Sequence, residues 1–316
     1  MKRILANDGI DEAGKQKLTE AGFEVLTEKV AQENLADFIN RENIPILTVR
    51  SATKVTAAVM EACKNLKLVV RAGVGTDNID SEAAKKFGVA VMNTPAASSD
   101  SVAELVIAGM FAMCRQLYDS NREMPLRGST AFNALKKKYS EGSELRGKTL
   151  GIIGFGRIGQ AVASRALGLG MEVLASDPFV KNTNVSLPIS GLGVLNVPVS
   201  TLEMHALLPK CDYITLHVPG GTVLGKDELA QLKKGVCLIN TSRGGVIDEQ
   251  ALIEALNSGQ VAHAFLDVFT NEPTPDEKLL THPRIALSPH IGAATNEAQY
   301  RIGVELAEKI IAFAGN

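Results

Sequence analysis

Strand-length apolar runs alternate with stretches of helical period along nearly the whole chain. Through residues 1–95 the strand-like runs are RILAN, FEVLT, IPILTV, LKLVVRA and VAVMN. Between them lie DEAGKQKLTEAG, QENLADFINREN, TAAVMEACKN and SEAAKKFG. From Lys148 the pattern resumes. KTLGIIG, MEVLASD, DYITLHV, VCLINTS, AHAFLDVF and RIALSPH alternate with RIGQAVASRALGLG, VSTLEMHALLP, KDELAQLKKG and DEQALIEALNSG. Parallel neighbours need a crossover connection, and a helix supplies it. Repeated strand–helix–strand units therefore imply parallel sheets covered by helices on both faces. Two such blocks in 316 residues imply two α/β domains.

The connections are less regular. Ser98–Tyr118 (SSDSVAELVIAGMFAMCRQLY) reads as one long apolar helix, with Ser98, Ser99 and Asp100 available to cap it. So apolar a helix is expected at a domain junction or between subunits. Residues 119–146 are polar and carry Pro125, Gly128 and Gly142, which predicts a loop or arm. Residues 181–199 show little periodicity and predict a surface excursion. After Thr295, NEAQYRIGVELAEKIIAFA predicts a last helix that can return to the first block. The expected domains are therefore 1–97 with 294–316, and 98–293 inserted between them.

Composition excludes several function classes. The formal net charge of −2 argues against a basic nucleic-acid surface or a polybasic membrane anchor. No apolar run approaches the roughly 18–20 residues of a membrane span. The start, MKRILAND, is too short in apolar residues for a signal-peptide core. Cys63, Cys114, Cys211 and Cys237 stand far apart in apolar settings. They read as buried free thiols of a cytoplasmic protein.

Chemistry concentrates at strand ends. Gly151-Ile-Ile-Gly154-Phe-Gly156-Arg-Ile-Gly159 follows a buried strand and opens a helix, and Asp177 ends the next strand about 20 residues on. Gly154 permits a tight turn, Gly156 lets a pyrophosphate approach the backbone at a helix N-terminus, and Gly159 lets helix and strand pack. Asp177 can accept both ribose hydroxyls and would repel a 2′-phosphate, so NAD is expected over NADP. Asn240-Thr-Ser-Arg243-Gly-Gly245 follows VCLI, which places Arg243 at a strand end. Its planar fork suits a carboxylate, although it could equally pair with Asp248 or Glu249. Asp267 lies inside an apolar strand, which is costly without a partner. Glu272 follows in a turn and, alone, reads more readily as a solvated acid. His290 closes IALSPH and precedes Ile-Gly-Ala-Ala-Thr. One strand-end histidine is more often structural; three such groups at strand ends weaken that reading.

GIIGFGRIG, INTSRGGVIDE, LDVFTNEP and SPHIGAAT, in this order, resemble the D-isomer-specific 2-hydroxyacid dehydrogenase family over nearly all of the chain. The resemblance implies two doubly wound domains, a Rossmann NAD-binding domain inserted into a smaller flavodoxin-like substrate domain. It implies NAD as cofactor and no metal. It implies Arg243, Glu272 and His290 as the catalytic set, with neutral His290 taking the hydroxyl proton, Glu272 favouring its charged form and Arg243 holding the substrate carboxylate. By the same resemblance Arg157, Ile158, His217, Val218, Pro219, Thr241, Ser242, Asp267, Gly292 and Ala293 line the cofactor beside Gly154, Gly156, Gly159 and Asp177. Arg50, Ser51, Arg71, Gly73 and Val74 contact the substrate. VRSATKVT, VVRAGVGTDNID and VMNTP are most similar to the branch of the family that oxidises 3-phosphoglycerate for serine synthesis. The resemblance also implies a homodimer formed through 98–146. The segment after Pro219 is shorter than in relatives, which leaves contacts at Thr222 open, and Lys136–Lys138 could meet a substrate phosphate. Reduction of hydroxypyruvate, glyoxylate or another 2-keto acid is the same-family alternative. A corepressor-like protein that senses NAD is the alternative of another class.

Overall fold

The computed structural model describes residues 2–315. It divides into two compact units, residues 2–101 with 293–315, and Val102–Gly292.

In the first unit, β1 (Lys2–Ala6), β2 (Phe23–Leu26), β3 (Ile46–Val49), β4 (Leu68–Arg71) and β5 (Ala90–Asn93) form one parallel sheet in the order β2-β1-β3-β4-β5. This is the flavodoxin-like order. Helices α1 (Glu12–Glu20), α2 (Leu35–Arg41), α3 (Ala57–Ala62) and α4 (Ser81–Phe87) make the crossovers. Asp11 caps α1 through Ala13 N–H, and Asp80 caps α4 through Ala83 N–H. Gly88 closes α4 in the left-handed region, at φ 68. Two apolar layers cover the sheet. One contains Leu5, Leu47 and Val69, and the other Ile4, Leu68 and Val70. Alternate residues of one strand thus feed opposite layers, as a sheet buried on both faces requires.

The second unit carries α5 (Ser99–Cys114) from its first turn onward, then α6 (Leu117–Lys138). β6 (Thr149–Ile153), α7 (Arg157–Gly168), β7 (Glu172–Ser176), β8 (Asn182–Ile189), β9 (Gly193–Ser200) and α8 (Met204–Leu207) follow. The chain then runs through β10 (Tyr213–Leu216), α9 (Lys226–Ala230), β11 (Val236–Asn240), α10 (Glu249–Ser258), β12 (Val261–Leu266), α11 (Glu277–Leu280) and β13 (Ile285–Leu287). Six strands make a parallel sheet in the order β13-β12-β11-β10-β6-β7. The order reverses at β6, between β7 and β10. That is where open α/β sheets bind ligands, beyond the carboxyl ends of the strands. The last helix, α12 (Asn296–Gly315), packs on α1 in the first unit. A Cβ on Gly14 would lie 2.5 Å from the Gly303 carbonyl oxygen, so this helix pair needs both glycines.

Two segments differ from their sequence reading. Ser98–Tyr118 is not one helix, and of 119–146 only 139–146 is a loop. The break falls at Gln116, whose φ of 50 is left-handed, and α6 then continues for 22 residues. Leu, Arg, Glu, Met, Ala and Lys favour the helix strongly enough to outweigh Gly128 and to carry Pro125 inside it. The polar composition is that of a helix with one buried side chain, Leu135. Ala131, at φ −134 and ψ 26, marks a kink.

The excursion at 181–199 is a β-hairpin, β8 paired antiparallel with β9 over its whole length. Val185 and Val199 point inward on one face, and Ser164 on α7 donates to the Ser186 carbonyl. A single bridge joins Thr201 to Ala175 of β7. Ile189, Leu192, Val194 and Leu195 at the hairpin's tip are exposed.

Candidate active site

Strand β6 turns through Gly154 and Gly156 into α7. Gly154 has φ +92, and a Cβ there would run into the His217 carbonyl. Gly159 lies against the Gly154 carbonyl, so any side chain would push α7 off the strand. Gly156 differs: a Cβ there would meet no atom of the protein within 4 Å. Internal packing does not call for glycine at this position, whereas a group resting against the backbone does. The N-terminus of α7 has no side-chain cap, which leaves its N–H donors for an anion. Arg157 at this end is exposed and Ile158 half-buried.

Asp177 follows β7. Its Oδ2 accepts the Phe155 N–H at 2.7 Å, and its Oδ1 accepts those of Phe179 at 2.8 Å and Val180 at 3.0 Å. Burial works to raise its pKa. The three N–H groups, with Lys181 nearby, outweigh burial and hold it below the usual aspartate value. The carboxylate is therefore ionised at neutral pH.

His217 lies just past β10. Thr215 Oγ1 is 3.0 Å from His217 Nε2, and burial pushes the histidine's pKa down to about 3. The ring is neutral at any working pH. His217 Nδ1 and Thr241 Oγ1 are buried with no hydrogen-bond partner among the described residues. Buried polar atoms ordinarily have one. With the open face of Gly156, these two atoms fit a bound dinucleotide that supplies partners to the protein. Val218 is half-buried, Pro219 exposed, and Thr222 donates its hydroxyl to the Gly245 carbonyl at 3.1 Å.

The remaining groups gather at the carboxyl ends of β11, β12 and β13, which are adjacent in the sheet. At the end of β11, Asn240 Oδ1 accepts from both the N–H (3.0 Å) and the hydroxyl (2.8 Å) of Ser242, and its amide donates to the Arg243 carbonyl at 2.8 Å. This knot aims Arg243, whose guanidinium donates to the Ser242 carbonyl at 2.7 Å. Asp248 caps α10 and Glu249 accepts the Thr270 N–H at 2.7 Å, so each of these carboxylates has another task. A Cβ on Gly244 would strike the Phe269 carbonyl, so the loops after β11 and β12 touch here.

Asp267, just past β12, is wholly buried. One oxygen accepts from the Ser288 hydroxyl at 2.6 Å and the Ile291 N–H at 2.9 Å. The other accepts from the Gly292 N–H at 2.9 Å. Five residues on, Glu272 folds back: Oε1 accepts the Phe269 N–H at 2.9 Å, and Oε2 lies 2.7 Å from His290 Nδ1. His290 is exposed and stands at φ 54. With Nδ1–H given to the carboxylate, Nε2 is the bare, proton-accepting nitrogen. No described residue bonds to it. Ala293 begins the return to the first unit, and its carbonyl accepts from Gln299 at 2.8 Å.

In the first unit Arg50 follows β3 and Arg71 ends the adjacent strand β4, at the carboxyl edge of the sheet. Ser51 is exposed, Gly73 buried and Val74 half-buried. Lys138 is held by Asp119, Glu123 and the Tyr139 hydroxyl. Sequence reasoning missed Asp8, Asn78, Asn240 and Ser288, which bind loop backbone or other side chains. The signal available was an Asn or Asp directly after a strand or inside a glycine turn, where such side chains tie the main chain. Ser288 had none.

Residues 107–292 match the NAD-binding domain of the D-isomer specific 2-hydroxyacid dehydrogenases. The chain is 43% identical to a hydroxypyruvate reductase of Thermotoga maritima, over 98% of this chain and 97% of the reductase. It is 40% identical to the D-3-phosphoglycerate dehydrogenase of Bacillus subtilis over 99% of this chain, but spans only 57% of that enzyme. The crystal structure of the TT0316 protein from Thermus thermophilus superposes with a TM-score of 0.84 at 30% identity, over 99% of this chain and 97% of that one. The NAD-binding match, the near full-length identity to the reductase and the fold agree: the chain belongs to the D-isomer specific 2-hydroxyacid dehydrogenase family.

Proposed function

We propose that the protein oxidises D-3-phosphoglycerate to 3-phosphohydroxypyruvate, the entry to serine biosynthesis. NAD supplies the hydride acceptor when bound. Gly154, Gly156 and Gly159 with the N-terminus of α7 hold its pyrophosphate, and Asp177 its ribose. Arg157, Ile158, His217, Val218, Pro219, Thr241, Ser242, Asp267, Gly292 and Ala293 line it. His290 Nε2 takes the proton of the C2 hydroxyl, Glu272 stabilises the imidazolium that forms, and Arg243 orients the carboxylate. Arg50, Ser51, Arg71, Gly73 and Val74 bind the substrate from the first unit. Residues 98–293 serve as the nucleotide domain, and 1–97 with 294–316 as the substrate domain.

The observation that carries the phosphorylated substrate is Arg50. Its guanidinium has no hydrogen bond or acid partner among the described residues, so its charge is available to an anion beyond the carboxylate. One observation favours a second reading, reduction of hydroxypyruvate or glyoxylate: the 43% identical relative, matched along 97% of its length, carries the reductase name. NAD reduction with 3-phosphoglycerate beside D-lactate, D-glycerate and 2-hydroxyglutarate separates the two. A higher kcat/KM on an unphosphorylated acid selects the reductase.

The protein is further proposed to be a cytoplasmic homodimer joined through residues 98–146. Phe111, Leu117, Leu126 and Phe132 are exposed apolar side chains of α5 and α6, the kind of surface that association covers. Sedimentation showing a stable monomer at micromolar concentration would end that reading.

A further inference from the structure

The loop carrying Arg50 is clamped from both sides within the first unit. Asp8, just past β1, accepts the Arg50 N–H at 2.7 Å, the Thr53 N–H at 3.1 Å and the Thr53 hydroxyl at 2.7 Å. Asn78, in the turn that follows Gly73 and Val74, donates its amide to the Arg50 carbonyl at 2.7 Å and to the Thr53 carbonyl at 2.6 Å. Val55 N–H then bonds the Asn78 carbonyl at 2.8 Å, and Asp80 N–H bonds the Val55 carbonyl at 3.0 Å. Both main-chain polar groups of Arg50 are thus taken, the N–H by Asp8 and the carbonyl by Asn78. The guanidinium is left without a partner among the described residues.

We propose that Asn78 is a positioning residue for substrate. It ties the Arg50 loop to the Gly73–Val74 loop, so that the two present one fixed anion-binding surface. The residue type follows from the chemistry. A primary amide carries two donor hydrogens on one nitrogen, and here two carbonyls face it. An aspartate would set oxygen against oxygen, and a serine offers one hydrogen. The inference rests on the reading of Arg50 as an anion-binding residue, and the experiment separates the two.

Steady-state kinetics of the full chain, with 3-phosphoglycerate varied at saturating NAD, are measured for N78A, N78S, R50Q and the N78A/R50Q pair. D-glycerate replaces 3-phosphoglycerate if it proves the better substrate. Two hydrogen bonds lost should raise the KM for the acid about tenfold in N78A, with N78S between it and the parent. The KM for NAD and kcat stay within about twofold of the parent. In the R50Q background N78A adds little, because the group it positions is gone. If R50Q leaves the acid's KM unchanged, the reading of Arg50 fails and this inference falls with it. If R50Q raises that KM while N78A and N78S do not, or if the two losses simply add, Asn78 does not act through Arg50. Only the inference is then overturned.

Discussion

Replacing Glu272 by Gln keeps the shape of the side chain and removes its charge. The structure shows what that costs. Each carboxylate oxygen receives one hydrogen, from Phe269 N–H at 2.9 Å and from His290 Nδ1 at 2.7 Å. An amide has only one oxygen. If that oxygen keeps the Phe269 bond, the NH2 group faces Nδ1. His290 must then carry its proton on Nε2, and it can no longer accept one there. If the oxygen keeps Nδ1–H, the NH2 group opposes Phe269 N–H and a donor loses its partner. Proton transfer to Nε2 needs the second arrangement, whose unpaired donor costs about 1–3 kcal/mol. The lost charge adds to this. A carboxylate about 4 Å from an imidazolium stabilises it by about 4 kcal/mol at an effective dielectric of about 20, and by about 1 kcal/mol in water. Side-chain exposures of 46% for His290 and 35% for Glu272 put the pair toward the lower figure. The sum, roughly 2–4 kcal/mol, predicts a kcat lower by about 30- to 1,000-fold. The imidazolium exists only after the proton moves, so the loss belongs to kcat rather than to the KM of either substrate. The assay is initial-rate kinetics of parent and E272Q with both substrates varied, beside NAD binding followed by fluorescence. A kcat within threefold of the parent, with NAD binding intact, would refute the pairing as a catalytic device.

Further outcomes follow from the same structure. Asp177→Asn should keep the bonds from Phe179 and Val180 to its oxygen but lose the one from Phe155, whose N–H its NH2 group would face, and it removes the charge that repels a 2′-phosphate. The NAD-to-NADP ratio of kcat/KM should fall at least tenfold, and an unchanged ratio would dismiss Asp177 as the discriminating group. His217 titrates at about 3 when folded and near 6.5 when unfolded, so the unfolded chain binds the extra proton as pH falls. Its contribution is intact above pH 6.5 and shrinks through the window down to 3, with about 2 kcal/mol lost by pH 5. Urea unfolding at pH 7 and pH 5 should show a smaller acid loss for His217→Gln than for the parent; equal losses would show that the ring is accessible to protons. Burial pushes the Cys63 thiol up to about 11 and those of Cys211 and Cys237 to about 12, and Cys114 is raised as well. Iodoacetamide at pH 8 should therefore leave the folded protein unmodified, as mass spectrometry would report; rapid labelling of any of the four would contradict their burial.

The alternation of runs makes both sheets legible in the sequence, because a strand buried on both faces must be apolar throughout and its crossover helix must not. Arg243, Glu272 and His290 were legible as types at strand ends. The 2.7 Å contact between Glu272 and His290 was not, since it depends on a turn that no periodicity encodes. Segment 119–138 differs from its loop reading because polarity, proline and glycine signal a loop only on average. A surface helix made of good helix formers has the same composition. The hairpin at β8 and β9 escaped notice for another reason. Its alternation is real, with Val185, Val197 and Val199 on one face, but Pro188 and Pro198 interrupt it and argue locally against strands. Asn78 and Asp8 were hard to single out because their partners are mostly main-chain groups, which every sequence supplies.

Gly292, after His290, has a nearer cause than the cofactor. Three consecutive N–H groups, of His290, Ile291 and Gly292, converge on Asp267, the first on its carbonyl and the others on its carboxylate. A chain can turn three successive donors toward one residue only by bending sharply, and His290 takes the bend at φ 54. The left-handed conformation costs a non-glycine residue about 1–2 kcal/mol, which three hydrogen bonds, two of them to a buried carboxylate, more than offset. A Cβ on Gly292 would come within 3.2 Å of Asp267 Oδ2, tight enough that the carboxylate would have to give way. Asp267 thus favours glycine at 292 before any ligand arrives. The buried acid, costly in an apolar strand on sequence grounds, is the post around which the chain turns to present His290.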